Sequence, residues 1–93
     1  MTLANSQLRE YLNHLIVERG LSINTTSSYQ RDLHRFTLVM QVADLTKVSP
    51  REMEEFIALE RMRGLAESSI AREVVAVRNA VEFSCKEGRV LNP

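Results

Sequence analysis

Few side chains in this sequence could carry covalent or metal chemistry: one cysteine, Cys85, two histidines, His14 and His34, and two tyrosines, Tyr11 and Tyr29. The histidines fall on different expected helices, with no cysteine or paired carboxylates at ligand spacing, so a metal site is not expected. Cys85 falls near the apolar face of the last expected helix and has no histidine partner, which reads as a buried structural thiol. A single cysteine cannot close an internal disulfide, in keeping with a reducing compartment. Both tyrosines sit on apolar stripes and read as core aromatics whose hydroxyls reach the edge. No glycine-rich phosphate loop is present, and no acid, base and nucleophile converge. The chain is therefore expected to catalyse nothing and to need no cofactor.

The polar faces suggest binding instead. On the second expected helix, Ser28, Arg31 and Arg35 lie opposite the Leu33 stripe, with Asn24 and Thr25 at the helix start and no acid among the five. On the fourth, Ser68, Arg72, Asn79 and Lys86 lie opposite Val77 and Val81, with Ser69 and Arg78 at the margins. Amides and hydroxyls at a helix start can hold a phosphate, and arginine or asparagine one or two turns on can reach base edges. The pattern suits double-stranded DNA. The competing reading is an ordinary solvated helix face, or a helical module that docks another protein without touching nucleic acid.

The elements that must position these faces are marked by caps. Gly20 follows a segment in which Leu8, Tyr11, Leu12 and Leu15 recur at helical spacing, and Leu21 supplies the apolar residue expected past a glycine C-cap. The same grammar recurs at Gly64-Leu65 and at Gly88-Arg89-Val90. Ser49-Pro50-Arg51-Glu52 combines an N-cap, a proline at the first helical position and a capping-box glutamate. Asn24 is the expected N-cap of a helix over 25–42 with the stripe Thr26, Tyr29, Leu33, Phe36, Met40. A fourth helix starts near Glu67 and carries Ile70, Val74, Val77 and Val81 on one face. The expected fold is all-α, a four-helix bundle-like domain made of two helical hairpins.

The two hairpins share a short pattern, a basic residue, glycine and leucine followed by a hydroxyl-rich helix start, with position 20 corresponding to 64 and 25 to 69. Reuse of cap chemistry explains this as well as duplication does. The 93 residues form a single domain, too small for a multi-domain enzyme. No apolar run is long enough to span a membrane, and the first residues lack a signal-peptide pattern, so a cytoplasmic location is expected. The 12 basic and 12 acidic residues cancel, which argues against a generic polyanion binder. The balance is uneven along the chain: residues 49–60 hold one base and four acids, whereas residues 61–93 hold six bases and four acids. The third helix thus carries the negative excess.

The run from Tyr11 to Phe36, with Tyr11-Leu12, Leu15, Val17-Glu18-Arg19-Gly20-Leu21-Ser22, Asn24-Thr25, Tyr29, Asp32-Leu33 and Phe36, resembles the N-terminal core-binding (SAM-like) domain of tyrosine recombinases and phage integrases, especially Xer-like members. Asp44-Leu45-Thr46, Arg63-Gly64-Leu65, Ser69-Ile70-Ala71-Arg72, Val77-Arg78 and Glu87-Gly88 through Asn92-Pro93 continue the resemblance. It implies a domain that clamps one side of a recombination site through its second and fourth helices, largely in the major groove. The implied DNA contacts are Asn24, Thr25, Ser28, Arg31, Arg35, Ser69, Arg72, Arg78 and Asn79. The implied partners are duplex DNA, a C-terminal catalytic domain absent from this chain, and other recombinase protomers. The family's catalytic tyrosine belongs to that absent domain, so Tyr11 and Tyr29 are not assigned its role. The chain departs from the family pattern at Ala66, where serine is usual, at Glu60, where leucine is preferred, and at Ala80 and Ser84, which replace larger apolar residues.

Overall fold

The computed structural model describes the backbone of residues 2–91 and the side chains of residues 2–87. Four helices run in the order α1 (Leu3–Val17), α2 (Ile23–Val39), α3 (Pro50–Met62) and α4 (Glu67–Leu91). A short 3-10 turn, Leu45–Lys47, links α2 to α3, and among the described residues there is no strand. α4 is the central element and packs against all three other helices, while α1 and α2 also pack on each other.

Each boundary has a chemical cause. Ser49 accepts from the Glu52 N–H at 3.2 Å and the Glu52 carboxylate accepts from the Ser49 N–H at 3.1 Å, completing the expected capping box behind Pro50. α3 ends where the Leu65 N–H reaches the Glu60 carbonyl and the Gly64 N–H reaches Arg61, with Gly64 at φ +87°. Gly20 likewise takes φ +67° after α1. α2 starts earlier than expected: Ser22, not Asn24, is the N-cap, its hydroxyl accepting from the Thr25 N–H at 3.2 Å. It also ends earlier, at Val39, because Gln41 adopts φ 52° and the Val42 N–H bonds back to the Thr37 carbonyl, closing the helix without glycine. α1 begins at Leu3 on a Thr2 cap, well before the periodic segment. Gly88 does not end α4, whose helix continues to Leu91; the side chains of Arg89 and Val90, and Asn92-Pro93, lie outside the described residues.

The core gathers Ala4, Leu8, Tyr11 and Leu15 from α1, Leu33 and Phe36 from α2, Phe56 from α3, and Ala76, Val77 and Ala80 from α4. Phe36 meets Phe56 edge-on at 5.0 Å, joining α2 to α3, and each fully buried ring contributes about 1.5–3 kcal/mol of hydrophobic stabilisation. The α2–α3 link is tied to α1: Gln7 donates to the Asp44 carboxylate at 2.9 Å and accepts from the Leu45 N–H at 2.7 Å. Cys85 is half-buried, so the expected burial of its thiol is only partial.

Candidate nucleic-acid interface

α2 presents Asn24, Thr25, Ser28, Arg31 and Arg35 along one face, since each step of three or four residues returns to the same side of a helix. Asn24, Thr25 and Arg31 are exposed, whereas Ser28 and Arg35 are half-buried. The Thr25 hydroxyl accepts from Ser22 at 3.0 Å, so the α2 start is partly satisfied internally, and Arg31 rests 3.5 Å from the Ser28 hydroxyl.

Arg72 brings the start of α4 beside this face. Its Nε and Nη2 donate to Asp32 at 2.9 and 3.2 Å, a bidentate bridge between the second turn of α4 and the middle of α2. Ser69 is half-buried one turn earlier. Of the other two α4 candidates, Asn79 stays on the Arg72 side of the helix two turns on, and Arg78 leaves it. Arg78 is turned about 120° from Arg72 by helix geometry and lines a groove with Ser49, Pro50 and Met53 at the start of α3. Asn79 lines a different depression with Tyr11, His14 and Arg19 of α1. Ala66 offers no side-chain cap, and its carbonyl accepts from the Ser69 and Ile70 N–H groups. The first turn of α4 carries Glu67, whose carboxylate is bound by Arg61 at 2.8 Å, so an acid already occupies the positive end of this helix.

The sequence reading missed a charged cluster under this surface. Glu60, the departure from leucine, lies within α3 and is completely buried. It accepts from Arg35 (Nε 2.9 Å, Nη2 2.6 Å) and from Arg63 (Nη2 2.7 Å). Arg35 is thus not a free cation. Glu73, on the buried side of α4, is 2% exposed and its Oε1 has no hydrogen-bond partner. The arginines, Arg35 above all, hold the Glu60 carboxyl down at about 2. Burial first, then a hydrogen bond to Glu60 and the charges of Glu60 and Asp32, push Glu73 up to about 7. Glu60 is thus ionised, and Glu73 holds its proton to a higher pH than an ordinary carboxyl. The signal was present in the sequence: Glu60 follows Phe56 by four, and Glu73 lies between Ile70 and Val77, both on buried faces.

Tyr11 is buried, and its phenol is pushed above its ordinary range by desolvation, which holds the hydroxyl protonated within the core. Among the described residues no helix is long and apolar enough to cross a membrane.

Residues 8–88 match the family described as phage integrase, N-terminal SAM-like domain. The chain belongs to that family. This integrase-type domain is 40% identical over 92 residues to a tyrosine recombinase XerD of Mycobacterium tuberculosis, covering 88% of the chain and 30% of the relative. It is 39% identical over 95 residues to the XerD of Mycobacterium leprae, covering 91% and 30%, and 36% identical over 90 residues to that of Listeria monocytogenes, covering 92% and 30%. The chain therefore spans under a third of the length of these relatives. No solved structure matches it significantly.

Proposed function

We propose that this domain binds one side of a recombination site in duplex DNA through α2 and the first half of α4, as the non-catalytic N-terminal part of a cytoplasmic tyrosine recombinase. The observation that carries the reading is the continuous polar surface formed when the Asp32–Arg72 bridge sets Arg72 beside the Asn24, Ser28, Arg31, Arg35 face. Arginine edges on that surface anchor phosphates and set register, and Asn24, exposed at the first turn of α2, is available to a base edge. Thr25 and Ser69 contribute hydroxyls at the rim. Asn79, on the Arg72 side of α4 two turns on, extends the contact along the helix, and Arg78, turned about 120° away, is a flanking contact. Cutting and rejoining belong to a separate catalytic domain of the parent recombinase, and other protomers on paired sites are its further partners.

Titrating the chain with duplex DNA while following amide shifts tests this reading. Changes clustered at residues 24–35 and 68–79 are expected; changes confined to residues 5–19 or 51–60 favour a protein partner instead. With about three to five phosphate contacts, affinity should fall tens- to hundreds-fold between roughly 50 and 200 mM salt. Salt-independent binding would refute it.

A further inference from the structure

Three guanidinium groups converge where α2, the end of α3 and the start of α4 meet. Arg35 and Arg63 share the buried Glu60 carboxylate, and Arg72 takes Asp32. Each arginine spends its Nε and Nη2 atoms on these acids, and among the described residues their Nη1 atoms make no hydrogen bond. Their side chains are 34%, 43% and 53% exposed, whereas the acids beneath are buried. The donor edges left over are those the acids do not engage, in the fork geometry that matches a phosphate.

Glu73 lies behind this group with one unpartnered oxygen. The groups around it are Asp32 from α2, Glu60 from α3, Arg63 at the α3 C-cap and Arg72 beside it on α4, with Arg35 acting through Glu60. Three arginines and three ionised acids would cancel; with Glu73 uncharged, one positive charge remains.

We propose that Arg35, Arg63 and Arg72 form a single cradle for a DNA phosphate, with Asp32 and Glu60 as its positioning residues. This rests on the DNA-binding reading above and adds to it Arg63, which lies on neither DNA-facing helix, and a dependence on pH.

The test measures affinity of the 93-residue chain for a random-sequence duplex at about pH 6 and about pH 8.5. The unmodified chain should lose about three- to tenfold on going to the higher pH, the equivalent of one phosphate contact, and Glu73→Gln should abolish that loss. His14 and His34 are present in both proteins, so the difference between the two profiles isolates Glu73. Arg63→Gln, at an exposed position outside any helix, should weaken binding three- to tenfold and reduce the salt slope by about one. Asp32→Asn separates positioning from charge: removing a negative charge alone tightens binding, whereas loss of the Arg72 anchor weakens it about threefold or more. Parallel pH profiles, an unaffected Arg63→Gln or a tighter-binding Asp32→Asn overturns the cradle while leaving DNA binding intact. A chain that binds no duplex at any pH overturns the functional reading itself.

Discussion

The replacement Glu73→Gln gives a stability prediction that needs no DNA. In the folded chain the Glu73 carboxyl is raised from 4.5 to about 7, and Glu60 is lowered from 4.5 to about 2. The two act on opposite sides of pH 4.5. The raised group favours the folded state fully below its unfolded value, and that advantage is lost as pH climbs from 4.5 to about 7, because the unfolded chain has released a proton that the folded chain retains. The depressed group favours folding above its unfolded value, and the gain is lost as pH falls from 4.5 to about 2. These groups together predict a maximum in stability near pH 4.5–5, rather than a neutral plateau.

Each limb has a size. At about 1.4 kcal/mol per pH unit, raising the buried carboxyl from 4.5 to about 7 costs the folded state on the order of 3 kcal/mol between those pH values. That is a large share of the roughly 5–15 kcal/mol that stabilises a typical domain, and amounts to roughly 10–20 °C in melting temperature. Glutamine has nearly the same shape, never ionises, and can donate to Glu60 as the protonated acid does. Glu73→Gln should therefore match the unmodified chain near pH 5 and exceed it by about 3 kcal/mol at pH 8. Urea unfolding of both proteins at half-unit steps of pH is the assay. Curves that stay parallel from pH 5 to 8 would show that Glu73 ionises normally in the folded chain and would refute the buried-pair account.

Two further substitutions probe separate features. Ser84 buries a hydroxyl whose Oγ has no hydrogen-bond partner, so Ser84→Ala should be neutral or stabilise by about 1 kcal/mol, read as a rise in urea midpoint with unchanged slope. Gly64 holds φ +87° with nothing within 4 Å of a built Cβ, so the cost of Gly64→Ala is one of backbone conformation alone; thermal melting should show a loss of about 1–2 kcal/mol.

Local chemistry was legible in the sequence, and long-range pairing was not. The capping box at Ser49, the glycine closures at 20 and 64 and the start of α4 at Glu67 follow from residues within one turn of each boundary. The α2 start was misread because Ser22 and Asn24 are both competent caps, and the hydroxyl two residues earlier takes the Thr25 N–H. The α2 end was missed because a glutamine, not a glycine, took the left-handed conformation. Gly88 illustrates the converse, a glycine that the helix passes through. On α4 the valines Val74 and Val81 were read as core, yet they are half-buried, while Glu73, Ala76, Ala80 and Ser84 face inward. Hydropathy ranks valine above alanine, serine and glutamate, but a close helix crossing selects small side chains. The acids paired with Arg35 and Arg72 lie 25 and 40 residues away, beyond the reach of any local pattern.

Those pairs also alter how a neutral chain can bind a polyanion. With 12 bases and 12 acids there is no excess charge to draw in DNA from a distance, so attraction must come from how opposite charges are layered. At the α2–α4 junction the carboxylates are buried and the arginine heads stand outside them, an arrangement that presents positive potential outward although the residues cancel on paper. The same bridges restrict the guanidiniums, whose free side chains would otherwise lose up to about 2 kcal/mol of rotamer entropy each on meeting a phosphate. Part of that ordering is completed on folding, so the acids that weaken long-range attraction strengthen the contact once it forms. A domain built this way should associate slowly for a DNA-binding protein and owe its discrimination to the fit of fixed arginine edges rather than to net charge.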